Sequence, residues 1–211
     1  MFCVRSSFFS YAFSVAAGVV IGICGPLLSS DGGQLGHAAH VVFSSGWSWA
    51  ALAFCVGVMG ESRMRSAILG TISLLIAVLT YYSAKASQGD FQSADLSDPT
   101  GQTMYFSWGE FLSMAAVWGF FACLLGPALG VLGNIARSGA YRLPCQLVVP
   151  FVAIIETSMR LRNEASLQSP IVATTWSVTR IVATVAVFAL MAYAVFDSWR
   201  RRFSEQAQPR R

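Results

Sequence analysis

Charge is missing from most of this chain, in runs long enough to cross a lipid bilayer. No Asp, Glu, Lys or Arg occurs at 6–30, 32–60, 66–84, 111–136 or 143–155, and the run 165–196 is broken only by Arg180. A spanning helix needs about 20 mainly apolar residues to cross about 30 Å of hydrocarbon. A soluble domain interleaves roughly 25% charged residues to cover its surface with hydrated groups. Here charged residues make up 11% of 211 positions and hydrophobic residues 55%, with a mean hydropathy of +0.58. The fold class expected is therefore all-α, a polytopic transmembrane bundle forming a single integral membrane domain over 1–211.

The runs predict six helices at about 8–28, 39–59, 66–84, 105–133, 144–162 and 170–197, followed by a short basic tail at 198–211. The first run is longer than the roughly 7 to 15 residues of a signal-peptide core, so it reads as a spanning helix. The fifth is the least regular, with Pro144, Pro150, Glu156 and Arg160 within it.

Lys and Arg accumulate in cytoplasmic segments of membrane proteins. With the N-terminus inside, the cytoplasmic side holds Arg5, Arg63, Arg65, Arg137, Arg142, Arg200, Arg201, Arg202, Arg210 and Arg211, against Lys85, Arg160 and Arg162 outside. Both termini are therefore expected in the cytoplasm of a plasma-membrane protein, with the loop 85–103 and its Asp90, Asp95 and Asp98 external. The net charge of +4 is spread beside the apolar runs rather than gathered in one patch, so it reports orientation and not nucleic-acid binding.

Five well-separated cysteines without a C-x-x-C pair indicate neither a disulfide framework nor a zinc site. His37 and His40 stand three apart, a spacing that brings two imidazoles onto one helical turn, but no third ligand follows at a fixed offset. Neither a metal nor a cofactor is expected. No G-x-S-x-G, H-E-x-x-H, P-loop or G-x-G-x-x-G signature is present, and the chain is not expected to be an enzyme.

Ionisable groups inside a bilayer are costly and mark a function or a paired structural site. Three stand out: Glu110, Glu156 and Arg180. At about 1.5 Å per residue they lie roughly 8, 9 and 15 Å below the outer ends of their helices. Trp176, Ser177 and Thr184 share the side of the sixth helix that carries Arg180. The candidate ligand-binding residues are therefore Glu110, Glu156, Arg180 and Trp176. A purely structural reading stands beside this one, because Glu156 and Arg160 are spaced i, i+4 in the order that lets them neutralise each other.

The segments beginning at Gly18 and Gly119 both read G-x6-G-P-x-L. Three helices lie in each half, so copies would have opposite orientations, as in many transporters. This leaves a 3+3 inverted repeat open.

The Gly25-Pro26 end of the first helix, Trp47 after a Ser-rich stretch, Tyr81-Tyr82, the segment 126–130 and Ile155-Glu156 together resemble a family of uncharacterised bacterial six-helix membrane proteins. That resemblance covers nearly the whole chain and implies topology rather than mechanism. Ala12 and Ala16 form an A-x-x-x-A motif similar to that of the substrate-binding components of energy-coupling-factor vitamin importers. This likeness implies a small solute bound near the outer surface and a close partner helix. Two functions are thus expected to compete: binding or transport of a small solute, and a non-transporting assembly, immunity or scaffold role with another membrane protein.

Overall fold

A computed structural model describes residues 2–31, 33–94, 103–164 and 166–206. Asp95 and Asp98 of the expected outer loop fall outside the described residues. The elements are α1 (Phe2–Asp31), α2 (Gly33–Phe43), α3 (Gly46–Val58), α4 (Arg63–Ser87), β1 (Gln92–Ala94), β2 (Met104–Phe106), α5 (Trp108–Ile135), α6 (Arg142–Asn163) and α7 (Pro170–Gln206). They form two compact units, Met1–Asn134 and Ile135–Arg211.

Among the described residues, five helices are long and apolar enough to cross a membrane, or up to six if the bent pair α2–α3 is one span. The single helix expected over 39–59 is in fact this pair, broken at Ser44-Ser45 and bent by 63°. The break forms because side chains satisfy the carbonyls that the helix gives up. Ser45 donates to Val41 O (2.6 Å), while Ser48 (3.3 Å) and the Trp49 indole N–H (2.9 Å) donate to Phe43 O. His40 Nδ1 lies 2.6 Å from Gly25 O, so the elbow is also tied to α1. The His37 and His40 rings stand 6.3 Å apart.

In the first unit small residues sit at the helix crossings beside a core of Leu52, Val56, Leu69, Leu74 and Tyr82, while large apolar residues also stay exposed outside. Ser14, Ser66, Ser73, Ala53 and Ala77 are fully buried. Phe120 on α5 is 65% exposed, and Trp118, Leu124 and Leu125 beside it are also exposed. A soluble protein would bury such exposed side chains, but lipid tails are as apolar as leucine. Helix association in a bilayer therefore relies on close backbone packing and interhelical hydrogen bonds. Glycine permits the close approach. A Cβ at Gly18 would lie 2.5 Å from Ser73 O, and one at Gly22 equally close to Ala77 O, where α1 crosses α4. A Cβ at Gly70 would reach within 2.5 Å of Gly126 O, where α4 meets α5. At Gly130 it would run into the Ser66 carbonyl of α4, and at Gly57 into the Gly130 backbone.

Polar ties complete the unit. Ser14 donates to Leu69 O (2.8 Å), Gln88 Nε2 to Pro26 O (3.0 Å) and Asn134 Nδ2 to Gly60 O (2.7 Å). Such bonds contribute about 0.6 kcal/mol each on average. Ser14→Ala should therefore lower the unfolding free energy of the purified protein by about that amount; a loss several times larger in thermal unfolding would contradict this assignment.

One end of the unit is closed by rings. Tyr82, Phe91, Phe106 and Phe111 stack edge-on or tilted in sequence, with Phe91 and Phe111 centroids 5.4 Å apart. The antiparallel pair β1–β2 delivers Phe106 to this cluster by pairing Gln92 with Phe106. Lys85 pairs with Asp90 (2.6 Å) at its edge.

The two Gly-Pro segments have different surroundings. A Cβ on Gly25 would meet Ser44 Oγ (3.1 Å) and the Tyr81 ring (3.2 Å), whereas one on Gly126 would lie 2.7 Å from Thr71 Cα.

The second unit is a hairpin of α6 and α7. On α7, Val172, Trp176, Ala183 and Val187 form the buried stripe, while Val178, Ile181, Val185 and Phe188 are exposed.

Candidate functional site

The turn end of the α6–α7 hairpin gathers the charged residues of the fifth and sixth sequence runs. Glu156, Arg160 and Glu164 follow one another at i, i+4, so a single helix face presents carboxylate, guanidinium and carboxylate in order. Arg160 lies in the last turn of α6, where a cation also complements the partial negative charge of the helix C-terminus. Its Nε and one terminal nitrogen each lie 3.1 Å from Glu156 Oε1, and its other terminal nitrogen is 3.6 Å from Glu164 Oε2. The Glu156 side chain is only 19% exposed, so this contact compensates a charge largely withdrawn from solvent.

Pro170 opens α7, a position where its missing N–H costs nothing. Trp176 then falls on the second turn, facing the hairpin interior. The Arg160 guanidinium carbon stands 5.7 Å from its ring centroid, within cation–π range. Trp176 is 4% exposed, and its buried indole N–H has no acceptor among the described residues. Buried indole N–H groups usually find a partner, and leaving one unmade costs about 1–3 kcal/mol.

Of the four candidate residues, the structure thus brings Glu156 and Trp176 together through Arg160. Arg180 sits one turn beyond Trp176 but is exposed and forms no ion pair among the described residues. Glu110 is exposed in the first turn of α5, where its charge complements the helix N-terminus. It belongs to the other unit. The guanidinium that closes on Glu156 is therefore that of Arg160, which the sequence pairs with Glu156 by spacing but does not place in the candidate ligand set. The signal available for its larger role was the E-x3-R-x3-E spacing, with Trp176 following the turn. Among the described residues, no group of three or more His, Cys, Asp or Glu side chains could hold a metal ion.

Residues 4–207 match a family of unknown function, DUF6518. The chain belongs to this family. Its match spans both units and nearly the whole sequence, in agreement with the resemblance to an uncharacterised membrane family. No curated protein and no solved structure matches the chain, so the likeness to vitamin-importer components has no counterpart in these comparisons. For this DUF6518 member, the long apolar helices and the large apolar side chains exposed along them point to a membrane protein.

Proposed function

We propose that this DUF6518 protein binds a small carboxylate- or carbonyl-bearing solute at the turn end of the α6–α7 hairpin, as a binding or transport component of the plasma membrane. The observation that carries this reading is the buried Trp176 N–H without an acceptor, roofed by the Arg160 guanidinium. A solute oxygen accepting from Trp176 would satisfy the orphan donor. Arg180, one turn further along α7, supplies a second cation for an anionic group. In this reading both termini are cytoplasmic and the site opens outward, as the arginine distribution implies.

Trp176→Phe tests it, because the ring beneath Arg160 is kept while the donor is removed. A panel of small mono- and dicarboxylates is titrated against purified protein and followed by thermal shift. Wild type should be stabilised by at least one member, and the variant should lose about tenfold or more in affinity, as expected when a buried donor goes unused. A variant that binds as tightly as wild type, or a panel without effect on either protein, would sink the reading.

A second reading, assembly with another membrane protein, is favoured by Arg180 itself. An exposed guanidinium between Val178, Ile181 and Val182 is costly in hydrocarbon and is normally matched by a carboxylate or ligand. Ala12 and Ala16 are likewise exposed on α1, where a partner helix can approach closely. A stoichiometric partner that is retained by wild type and lost in Arg180→Met would favour this reading over the first.

A further inference from the structure

The chain has two histidines, His37 and His40, and both stand on α2 in the first unit, where the solute site uses neither. A spacing of three residues puts them side by side on one helix face. Their side chains are half-buried, with ring centroids 6.3 Å apart and planes inclined by 34°. The helix that carries them is fixed in place. A Cβ at Gly36 would lie 2.9 Å from Leu28 O, so α2 rests directly on the α1 backbone.

The contact between His40 Nδ1 and Gly25 O (2.6 Å) decides the tautomer. A carbonyl oxygen only accepts, so Nδ1 carries the proton and Nε2 of the neutral ring keeps its lone pair. Donation from one ring nitrogen to a backbone carbonyl is the outer-shell arrangement that orients a metal-ligating histidine and makes its other nitrogen more basic. His37 makes no hydrogen bond among the described residues, so its lone pair is also available. Imidazole nitrogen binds a cation such as zinc at about 2.0–2.1 Å, and two rings sharing one such cation have centroids about 5–6.5 Å apart for angles between tetrahedral and linear. The observed 6.3 Å lies within that span, and the His37 side chain, which no hydrogen bond holds among the described residues, can turn to complete the geometry.

We propose that His37 and His40 form a two-imidazole site on α2 for a late first-row divalent cation, copper(II) or nickel(II), with water at the remaining positions. Among the described residues, no third His, Cys, Asp or Glu joins the pair in a group able to hold a metal. That donor set selects the cation. Calcium and magnesium take oxygen ligands, and zinc sites usually supply three or four protein ligands. Tetragonal nitrogen and oxygen coordination suits copper(II) and nickel(II), and affinity along the first row peaks at copper(II).

Nickel(II) is the probe, because the free thiols of the chain do not reduce it. Full-length protein in detergent, without a polyhistidine tag, is titrated by calorimetry with nickel(II) and separately with magnesium(II). Wild type should bind a single nickel(II) far more tightly than magnesium(II). His37→Gln and His40→Gln should each weaken nickel(II) at least tenfold, the smaller loss expected for removing even an outer-shell partner. With two histidines in the chain, both imidazole proton signals in NMR should broaden together as the paramagnetic ion binds. Absence of nickel(II) binding, equal binding of magnesium(II), undiminished binding to His37→Gln, or broadening of one imidazole alone would each overturn the site. His37→Gln gives up no hydrogen bond among the described residues, so its metal-free melting temperature should match that of wild type. It decides the matter even if His40→Gln, which loses the tie to Gly25, does not fold.

Discussion

Gly130→Leu is expected to prevent the first unit from assembling. The first atom of any side chain at this position runs into the Ser66 carbonyl oxygen and approaches Ala67 Cα to 3.3 Å. Both are backbone, so no rotamer change can relieve the clash. The helices α4 and α5 must separate, and the close approaches at Gly57, Gly70 and Gly126 open with them. Overpacking a core costs about 1–3 kcal/mol when side chains can adjust. With backbone on both sides the loss should exceed about 3 kcal/mol, a large part of a typical stability of 5–15 kcal/mol. The measurement is the yield of monodisperse protein after detergent extraction and its melting temperature. Gly119→Ala is the control, because a Cβ there meets only Leu75 Cδ2 at 4.0 Å, and it should fall within about 0.5 kcal/mol of wild type. A Gly130→Leu protein that melts with wild type would show that α4 and α5 do not pack on these glycines.

Arg160→Met should destabilise the hairpin. It removes the cation from a largely withdrawn Glu156, from Glu164 and from the face of Trp176 at once. Glu164 is half exposed and contributes little. The main cost is Glu156, left without its compensating charge while only 19% exposed. Breaking a fully buried pair costs about 3–5 kcal/mol. With Arg160 itself about one-third exposed the expected loss is about 1–2 kcal/mol, discounted for solvent screening. Glu156→Gln added to Arg160→Met should recover much of that loss, because the uncompensated charge disappears. Thermal melting of the two single variants and the double variant reads the coupling. Additive losses would mean that the ion pair is idle.

The spanning helices were legible in the sequence because hydrocarbon imposes a length and excludes charge, and both constraints are written locally. The runs at 66–84 and 143–155 need no partner to be recognised. The elbow at Ser44-Ser45 was hidden for the opposite reason. Serine satisfies backbone carbonyls either within a continuous helix or across a break, and nothing local in 39–59 says that Trp49 will donate to Phe43 O instead of lying at the interface. The site was half legible for a related reason. The i, i+4 spacing of Glu156 and Arg160 fixes their meeting on one helix. Which residue of α7 lies under Arg160 depends on the register of α6 against α7, set by the stripe through Val172, Trp176, Ala183 and Val187. Arg180 falls at the edge of that stripe, so depth alone did not place it against Glu156.

The elbow also bears on length. Laid straight, the 26 residues from Gly33 to Val58 would reach about 39 Å at 1.5 Å per residue, well beyond the roughly 30 Å of a bilayer interior. Bent by 63°, and with α3 along the membrane normal, α3 rises about 20 Å and α2 adds only about 7 Å, for a total of about 27 Å. Taken as one span in that orientation, the bent pair would have about bilayer height where the straight segment would exceed it. Closing or opening the elbow by ten degrees changes the height by only about 2–3 Å, a difference similar to that between the membranes of different cellular compartments. Were the pair one span, a joint secured by side-chain hydrogen bonds would set the height that it covers.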